Sequence, residues 1–178
     1  MSKKKQAKPT RAARQAAWGK ASKGIVIRPM KKSDLPKVGP LAAQLVHLHH
    51  HWDAKRFFVP DDPSGGYQWW FGSQLGKKKV LLLIAEAGGE IAGYLYGARQ
   101  GRDWNMLLDA CGAIHDIFVA PEHRRRGIAK ALMTAGLKHF EDRGIEQVVL
   151  STSTHNAEGR ALFESLGFRA TMIEMTRG

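Results

Sequence analysis

A chain of 178 residues with 43% hydrophobic content is long enough for one domain with a sizeable core and cramped for two. Its single cysteine, Cys111, excludes an intramolecular disulfide framework and fits a reducing compartment, and no apolar run approaches the roughly 18 residues that suggest a membrane span. The net charge of +12 is uneven: Lys3, Lys4, Lys5, Lys8, Arg11, Arg14, Lys20 and Lys23 stand in residues 1–24 without an acid, which leaves +4 for the rest.

The chain is therefore expected to divide into a flexible basic tail, residues 1–24, and one domain, residues 25–178. The tail is either a solvated arm or a salt-dependent contact to nucleic acid or another polyanion. Residues 12–18 have the propensity for a short helix, with Trp18 as its anchor. Lys3-Lys4-Lys5 is not followed by a hydrophobic segment, so a soluble cytoplasmic protein without a membrane partner is expected.

Along the domain, Ile25 to Arg28 reads as a strand closed by Pro29, after which Ser33 or Asp34 caps a helix running towards His51. Pro40 within it suggests a kink or a late start. Residues 52–73 read as a loop followed by a short helix carrying Tyr67, Trp69 and Trp70. Residues 80–87 and 91–99 form a hairpin across Gly88-Gly89, a pair free to take positive φ. Residues 102–109 are a connection. Ile114-His115-Asp116-Ile117-Phe118-Val119 is a strand, residues 130–140 a helix, and residues 146–153 a further strand by their β-branched content. A short helix then holds Ala161-Leu162-Phe163-Glu164 and ends at Leu166-Gly167-Phe168. Antiparallel strands followed by strand, helix, strand, helix give a mixed sheet of the α/β or α+β type.

The most informative stretch is Arg124-Arg125-Arg126-Gly127-Ile128-Ala129, between strand and helix. A basic, glycine-containing turn there offers unpaired backbone N–H groups at the positive end of the helix dipole, a place suited to a pyrophosphate. The same residues also suit a solvated basic loop whose glycine merely turns the chain.

In order, the strand 114–119, the Arg-x-x-Gly-x-Ala turn, the strand 146–153, Asn156 and the helix ending in Gly167-Phe168 resemble the GCN5-related N-acetyltransferase (GNAT) family. Its members carry a Gln/Arg-x-x-Gly-x-Gly/Ala coenzyme A loop after their fourth strand and an Asn-led helix ending in Gly-Phe. The resemblance spans Ile25 to Met175, and its specific part runs from Ile114 to Phe168. It implies an acyl-CoA N-acyltransferase fold, a central mixed sheet of about six to seven strands flanked by about four helices. It implies an N-acetyltransferase that moves an acetyl group from acetyl-CoA, its co-substrate, to a primary amine by direct attack. The alternative is a non-catalytic member that binds acyl-CoA, or a basic-tailed protein associated with nucleic acid.

By this resemblance the backbone of Ile117, Phe118 and Val119 binds the pantetheine arm, and a splay between that strand and the next admits the thioester. The N–H groups of Arg124, Arg125, Arg126, Gly127, Ile128 and Ala129 hold the pyrophosphate. A helix dipole contributes only about 0.3–1 kcal/mol, whereas micromolar affinity needs about 8 kcal/mol, so the amides and arginines must act together. Asn156 either contacts the pantetheine or its water, or simply caps its helix. Phe163 falls where the family often has a tyrosine that protonates the departing thiolate. A phenyl ring cannot donate a proton, so water or another group serves, the thiolate leaves unaided, or activity is reduced.

An amine of pKa near 10.4 is only about one part in a thousand neutral at pH 7, so a base should accelerate transfer by roughly 10²–10⁴. Asp116 and His115 are the candidates, and strict alternation along a strand would turn only one of them to the acceptor. His115 could equally be a histidine satisfied by local hydrogen bonds, and Asp116 could pair with a cation. On the acceptor side, His50, His51, Asp53, Tyr67 and Trp70 are candidate contacts, although aromatic residues there also suit packing. His47, His50 and His51 share a helix face, but no second ligand group with zinc spacing follows and no metal is expected. The identity of the amine is open; a homodimer is one further expectation from the family.

Overall fold

Near-continuous apolar runs on either side of paired glycines lay down an antiparallel meander whose strands are covered on both faces. The computed structural model describes Lys20, Ala21 and residues 24–177. Six strands hydrogen-bond in chain order: β1 (Lys20–Ala21), β2 (Ile25–Pro29), β3 (Val80–Ala87), β4 (Glu90–Gln100), β5 (Cys111–Val119) and β6 (Val148–Leu150). Each neighbouring pair is antiparallel except β5 and β6, which run parallel. Five of these strands have three residues or more, and β1 is a two-residue pairing on β2. The β3–β4 connection is the expected glycine turn, with φ of 63° at Gly88 and 84° at Gly89; positive φ at both central residues is what a two-residue hairpin loop requires.

Parallel strands need a crossover, and here it is α3 (Ile128–Glu141), which packs on one face of the sheet. On the other face lie α1 (Leu35–Trp52) and α2 (Pro63–Gln74). The last helix, α4 (Ala157–Ser165), packs with α3 through Phe163. The sheet thus separates two cores. Leu81, Leu83, Leu95 and Ile114 face α3, while Leu82, Ile84, Tyr94 and Phe118 face α1 and α2. In β3 this is period-two alternation, whereas in β5 Ile114 and Phe118, an even number of residues apart, lie on opposite faces.

Several local expectations are corrected. Asp34 is the N-cap residue of α1, as expected, but its side chain makes no cap bond to that helix: a 3₁₀ turn at Lys32–Asp34 precedes α1, and the Asp34 carboxylate accepts the backbone N–H of Lys31 at 2.7 Å. Asp34 also takes a two-pronged bond from Arg28, at 2.7 and 2.9 Å, and Arg28 reaches Glu86 at 2.6 Å. That trio ties β2, the turn and β3 together; the Arg28 bond, working against burial, holds the Asp34 carboxyl below its usual range. α1 continues through Pro40 rather than starting after it, and Pro36 occupies its first turn, where a missing N–H costs nothing. The strand expected over residues 146–153 pairs only at Val148–Leu150. Residues 169–177 form no strand and are exposed. The short helix expected over residues 12–18 lies outside the described residues, as does most of the basic tail.

Candidate active site on strand β5

Strand β5 departs from regular pairing at the residues that matter. Tyr96 of β4 stands opposite Asp116, but the next pair is Gly97 with Ile114, so His115 is an extra residue in β5. Such a bulge breaks the alternation locally. Ile114 and Ile117 both face the α3 core, three residues apart. Between them His115 and Asp116 both turn to the α1–α2 side, where His115 lies against Tyr96 with ring centroids 5.0 Å apart and Asp116 meets the hydroxyls of Tyr67 and Tyr94. The expectation that only one of the two could face that side is therefore corrected: the bulge puts them together.

The surroundings of Asp116 are aromatic. Tyr67 and Tyr94 both contact Phe71, at 5.2 and 5.6 Å, and Tyr96 contacts Phe71 at 5.7 Å. Burial pushes the Asp116 carboxyl up to about 6, against the opposing pull of the Tyr67 and Tyr94 hydroxyls. Burial and then the charge of Asp116 hold both hydroxyls above the usual tyrosine range, in their donating form. The Tyr94 hydroxyl is enclosed without a hydrogen bond of good geometry; its influence on the carboxylate acts across a looser approach. Tyr96 is raised by burial and by Asp116, while the Trp70 indole N–H acts in the opposite direction. His115 is exposed as a residue, but the face of its ring against Tyr96 is covered, and this lowers its pKa. Its Nε2 lies 3.5 Å from the Gln100 amide.

Two backbone features adjoin this cluster. Strand β6 pairs with β5 only at Gly112, Ala113 and Ile114, so the β5 edge from His115 to Val119 carries no strand on that side. Beyond Val119 comes a 3₁₀ turn at Pro121–His123, then Arg124, then Arg125 with φ 61° and Gly127 with φ 78°, which leads into α3. Among the described residues no acceptor is assigned to the N–H groups from Arg125 to Lys130. Left-handed residues interspersed in such a turn fan these amides outward into an anion-binding concavity. A Cβ on Gly127 would meet nothing within 4 Å; within the chain, the backbone conformation is what calls for glycine. Arg124, Arg125 and Arg126 are exposed, Ile128 is buried and Ala129 partly so. Arg124 donates to the Val119 carbonyl at 3.2 Å and stacks over Phe118. Arg126 lies 3.0 Å from His123, and Arg125 approaches Glu158 of α4 at 3.7 Å.

The other sequence candidates fall into three groups. Asn156 caps α4, accepting from the Gly159 N–H at 3.0 Å and donating to Thr152 at 3.0 Å, so both polar atoms of its amide take part in local structure. Phe163 is 7% exposed and packs edge-on against Phe168 in the α3 core. Tyr67 and Trp70 belong to the Asp116 cluster, whereas His50, His51 and Asp53 do not join it. His50 binds the Phe57 carbonyl at 2.7 Å, and Asp53 accepts the N–H groups of Lys55 and Arg56; both hold the loop after α1, and His51 is exposed. Among the described residues no group of His, Cys, Asp or Glu is arranged to hold a metal ion. Cavities of about 410 and 540 Å³ lie at the C-terminal end of α3, lined by residues such as Lys79, Arg99 and Arg143, or Glu141 and Val148, away from Asp116. Sequence reading missed Tyr94 and Tyr96. Their i, i+2 spacing on the strand before β5 was the available signal, since it places both on one face.

The profile of the acetyltransferase (GNAT) family matches residues 45–168. The chain belongs to that family. It is 34% identical over 99 residues to N-acetyltransferase 8 of Homo sapiens, covering 56% of this chain and 43% of that one. Over 129 residues it is 39% identical to the mycothiol acetyltransferase of Arthrobacter sp. (strain FB24), covering 72% of this chain and 38% of that one. The chain thus spans less than half the length of these curated relatives. In fold it is similar to the aminoglycoside N-acetyltransferase AAC(6')-Iy solved in complex with CoA, with TM-score 0.70, 23% identity, and coverage of 86% of this chain and 93% of that one.

Proposed function

We propose that this protein is an acetyl-CoA-dependent N-acetyltransferase that acts by direct attack of a primary amine on the thioester. The observation that carries the reading is the unpaired β5 edge from His115 to Val119, which continues into a turn whose amides have no acceptor. An extended pantetheine arm adds to such an edge as a strand would. The diphosphate then takes the amides of Arg125 to Ala129, and the exposed arginines beside them supply the charge. From Asp116 to Val119 the strand covers about 10 Å, so the thioester reaches the carboxylate while the diphosphate stays at the turn.

At the reacting end the amine nitrogen bonds to the thioester carbon and the carbon–sulfur bond breaks. Asp116 takes the amine proton, and coenzyme A leaves as a thiolate that draws a proton from water. A carboxyl near 6 is ionised at neutral pH and still a better base than an ordinary aspartate. The gap to an ammonium of pKa near 10.4 is about 6 kcal/mol, and covering the amine with the aromatic wall lowers its pKa and narrows that gap. His115, neutral at pH 7, stands beside the same proton path. Phe163, enclosed in the α3 core, gives the thiolate no proton. The bulge also frees backbone groups near the thioester carbonyl.

Release of free thiol from acetyl-CoA in the presence of amines tests the reading. Turnover that Asp116→Asn lowers at least a hundredfold, with coenzyme affinity kept, supports it. A chain that binds no acetyl-CoA by calorimetry and gains no thermal protection from it sinks it.

A further inference from the structure

The walls around Asp116 constrain which amine enters. We infer that the acceptor is a monocationic amine carried on an apolar or aromatic body, and not a polycation. This rests on the transferase reading above and narrows it.

Two observations carry the inference. First, the carboxylate stands alone. Helices α1 and α2 contain no acidic residue, β5 contains only Asp116, and β4 contains only Glu90, at its opposite end beside the glycine turn. The loop carboxylates lie outside the Asp116 cluster: Asp109 pairs with Arg102 and Glu174 with Arg56, while Asp53, Asp61, Asp62 and Asp103 are exposed and do not act on the Asp116 carboxyl. A polyamine or aminoglycoside brings several ammonium groups, and each needs a partner or must stay in water. Here one would find a partner and the others would meet neutral rings.

Second, the site is walled by rings. Phe71 gathers Tyr67, Tyr94 and Tyr96 at centroid separations of 5.2 to 5.7 Å, and His115 lies 5.0 Å from Tyr96; Phe71 and Tyr94 are fully buried behind, so Tyr67, Tyr96 and His115 are the rings an entering amine meets. Trp70 closes the series and is 41% exposed, with Trp69 beside it at 73%. A tryptophan left open to solvent next to a largely buried carboxylate is a surface waiting for an apolar partner, and ring faces also attract a single cation. A cation with a hydrocarbon body uses both properties; a hydroxylated polycation uses neither.

The test compares thiol release from acetyl-CoA across phenethylamine, a leucine-led dipeptide amide, spermidine and kanamycin. The expected result is kcat/KM at least tenfold higher for phenethylamine or the dipeptide than for either polycation. The better of the first two tells whether the apolar body is a small amine or a peptide end. Trp70→Ala should raise KM for that amine at least fivefold and leave KM for acetyl-CoA unchanged. Preference for spermidine or kanamycin overturns this inference while leaving the transferase intact. So does an unchanged amine KM in Trp70→Ala. Absence of turnover with all four amines, in a protein that still binds acetyl-CoA, overturns the transferase reading and takes this inference with it.

Discussion

Replacing Asp116 by Asn should stabilise the fold while removing its chemistry. Burial raises the Asp116 carboxyl from 3.8 to about 6, so the folded chain resists its ionisation. A shift of about two units corresponds to about 3 kcal/mol. Because the folded value is raised, the protonated form's contribution to stability is complete below 3.8 and is lost as pH rises through 6. At pH 8 the wild type bears the whole cost of a buried carboxylate, and an asparagine amide of the same shape bears none, since it can still accept from the Tyr67 hydroxyl. The variant should therefore melt roughly 6–12 °C higher at pH 8, taking about 2–4 °C per kcal/mol for a chain of this size. At pH 5 the advantage should fall to about half. Paired thermal melts of the two proteins across pH 4 to 8 read the difference directly, and other titrating groups cancel between them. A variant no more stable than wild type at pH 8, or one whose advantage is flat with pH, would refute the claim that Asp116 is held ionised against burial.

The same carboxylate should leave an acid limb near pH 6 in the kcat/KM profile for the amine, rising with pH, and Asp116→Asn should abolish the limb and lower kcat by roughly 10²–10⁴. Arg125 is largely solvent-exposed, and its approach to Glu158 joins two side chains that are 87% and 80% exposed; Arg125→Ala should leave the melting temperature unchanged and raise the acetyl-CoA KM several-fold in steady-state assays. Gly127→Glu combines an unfavourable positive φ with a negative charge at the amide cradle, so calorimetry should show coenzyme affinity reduced more than tenfold, with the amine KM little affected. Phe163→Ala should lower stability by about 3 kcal/mol or more in denaturant titrations, because the ring fills the α3 core; stability within 1 kcal/mol of wild type would contradict that placement.

What the sequence disclosed followed from how local the determining physics is. The Gly88-Gly89 turn, the strand at residues 114–119 and the start of the helix after Gly127 each depend on a few neighbouring residues, and each was legible. Of the candidate site, the sequence offered only what the chain itself brings together, the run from Ile117 to Ala129. Tyr94 and Tyr96 come from another strand and Tyr67 and Trp70 from a helix, so their gathering around Asp116 depends on sheet register and on how α2 packs. The histidines and Asp53 show the converse. Their spacing suits ligation or substrate contact, but His50 and Asp53 are engaged in holding the loop after α1. The bulge was invisible, because His115-Asp116 fits an alternating strand as well as an interrupted one, and only the pairing of Tyr96 with Asp116 and Gly97 with Ile114 reveals the added residue. The shortening of the last strand to Val148–Leu150 reflects a partner that β-branched composition cannot specify.

That added residue makes β5 a strand of two half-frames. Above it and below it the inward and outward positions keep opposite phase, and His115 is the step between them. Excising the position would leave Ile114 and Asp116 as consecutive residues of a regular strand opposite Gly97 and Tyr96, each side chain keeping its face, and would take away only the imidazole and the local irregularity. The step thus sets His115 on the same face as Asp116 without turning Ile114 or Ile117 out of the α3 core, and a chain shorter by that one residue should keep both cores while losing the imidazole beside the carboxylate.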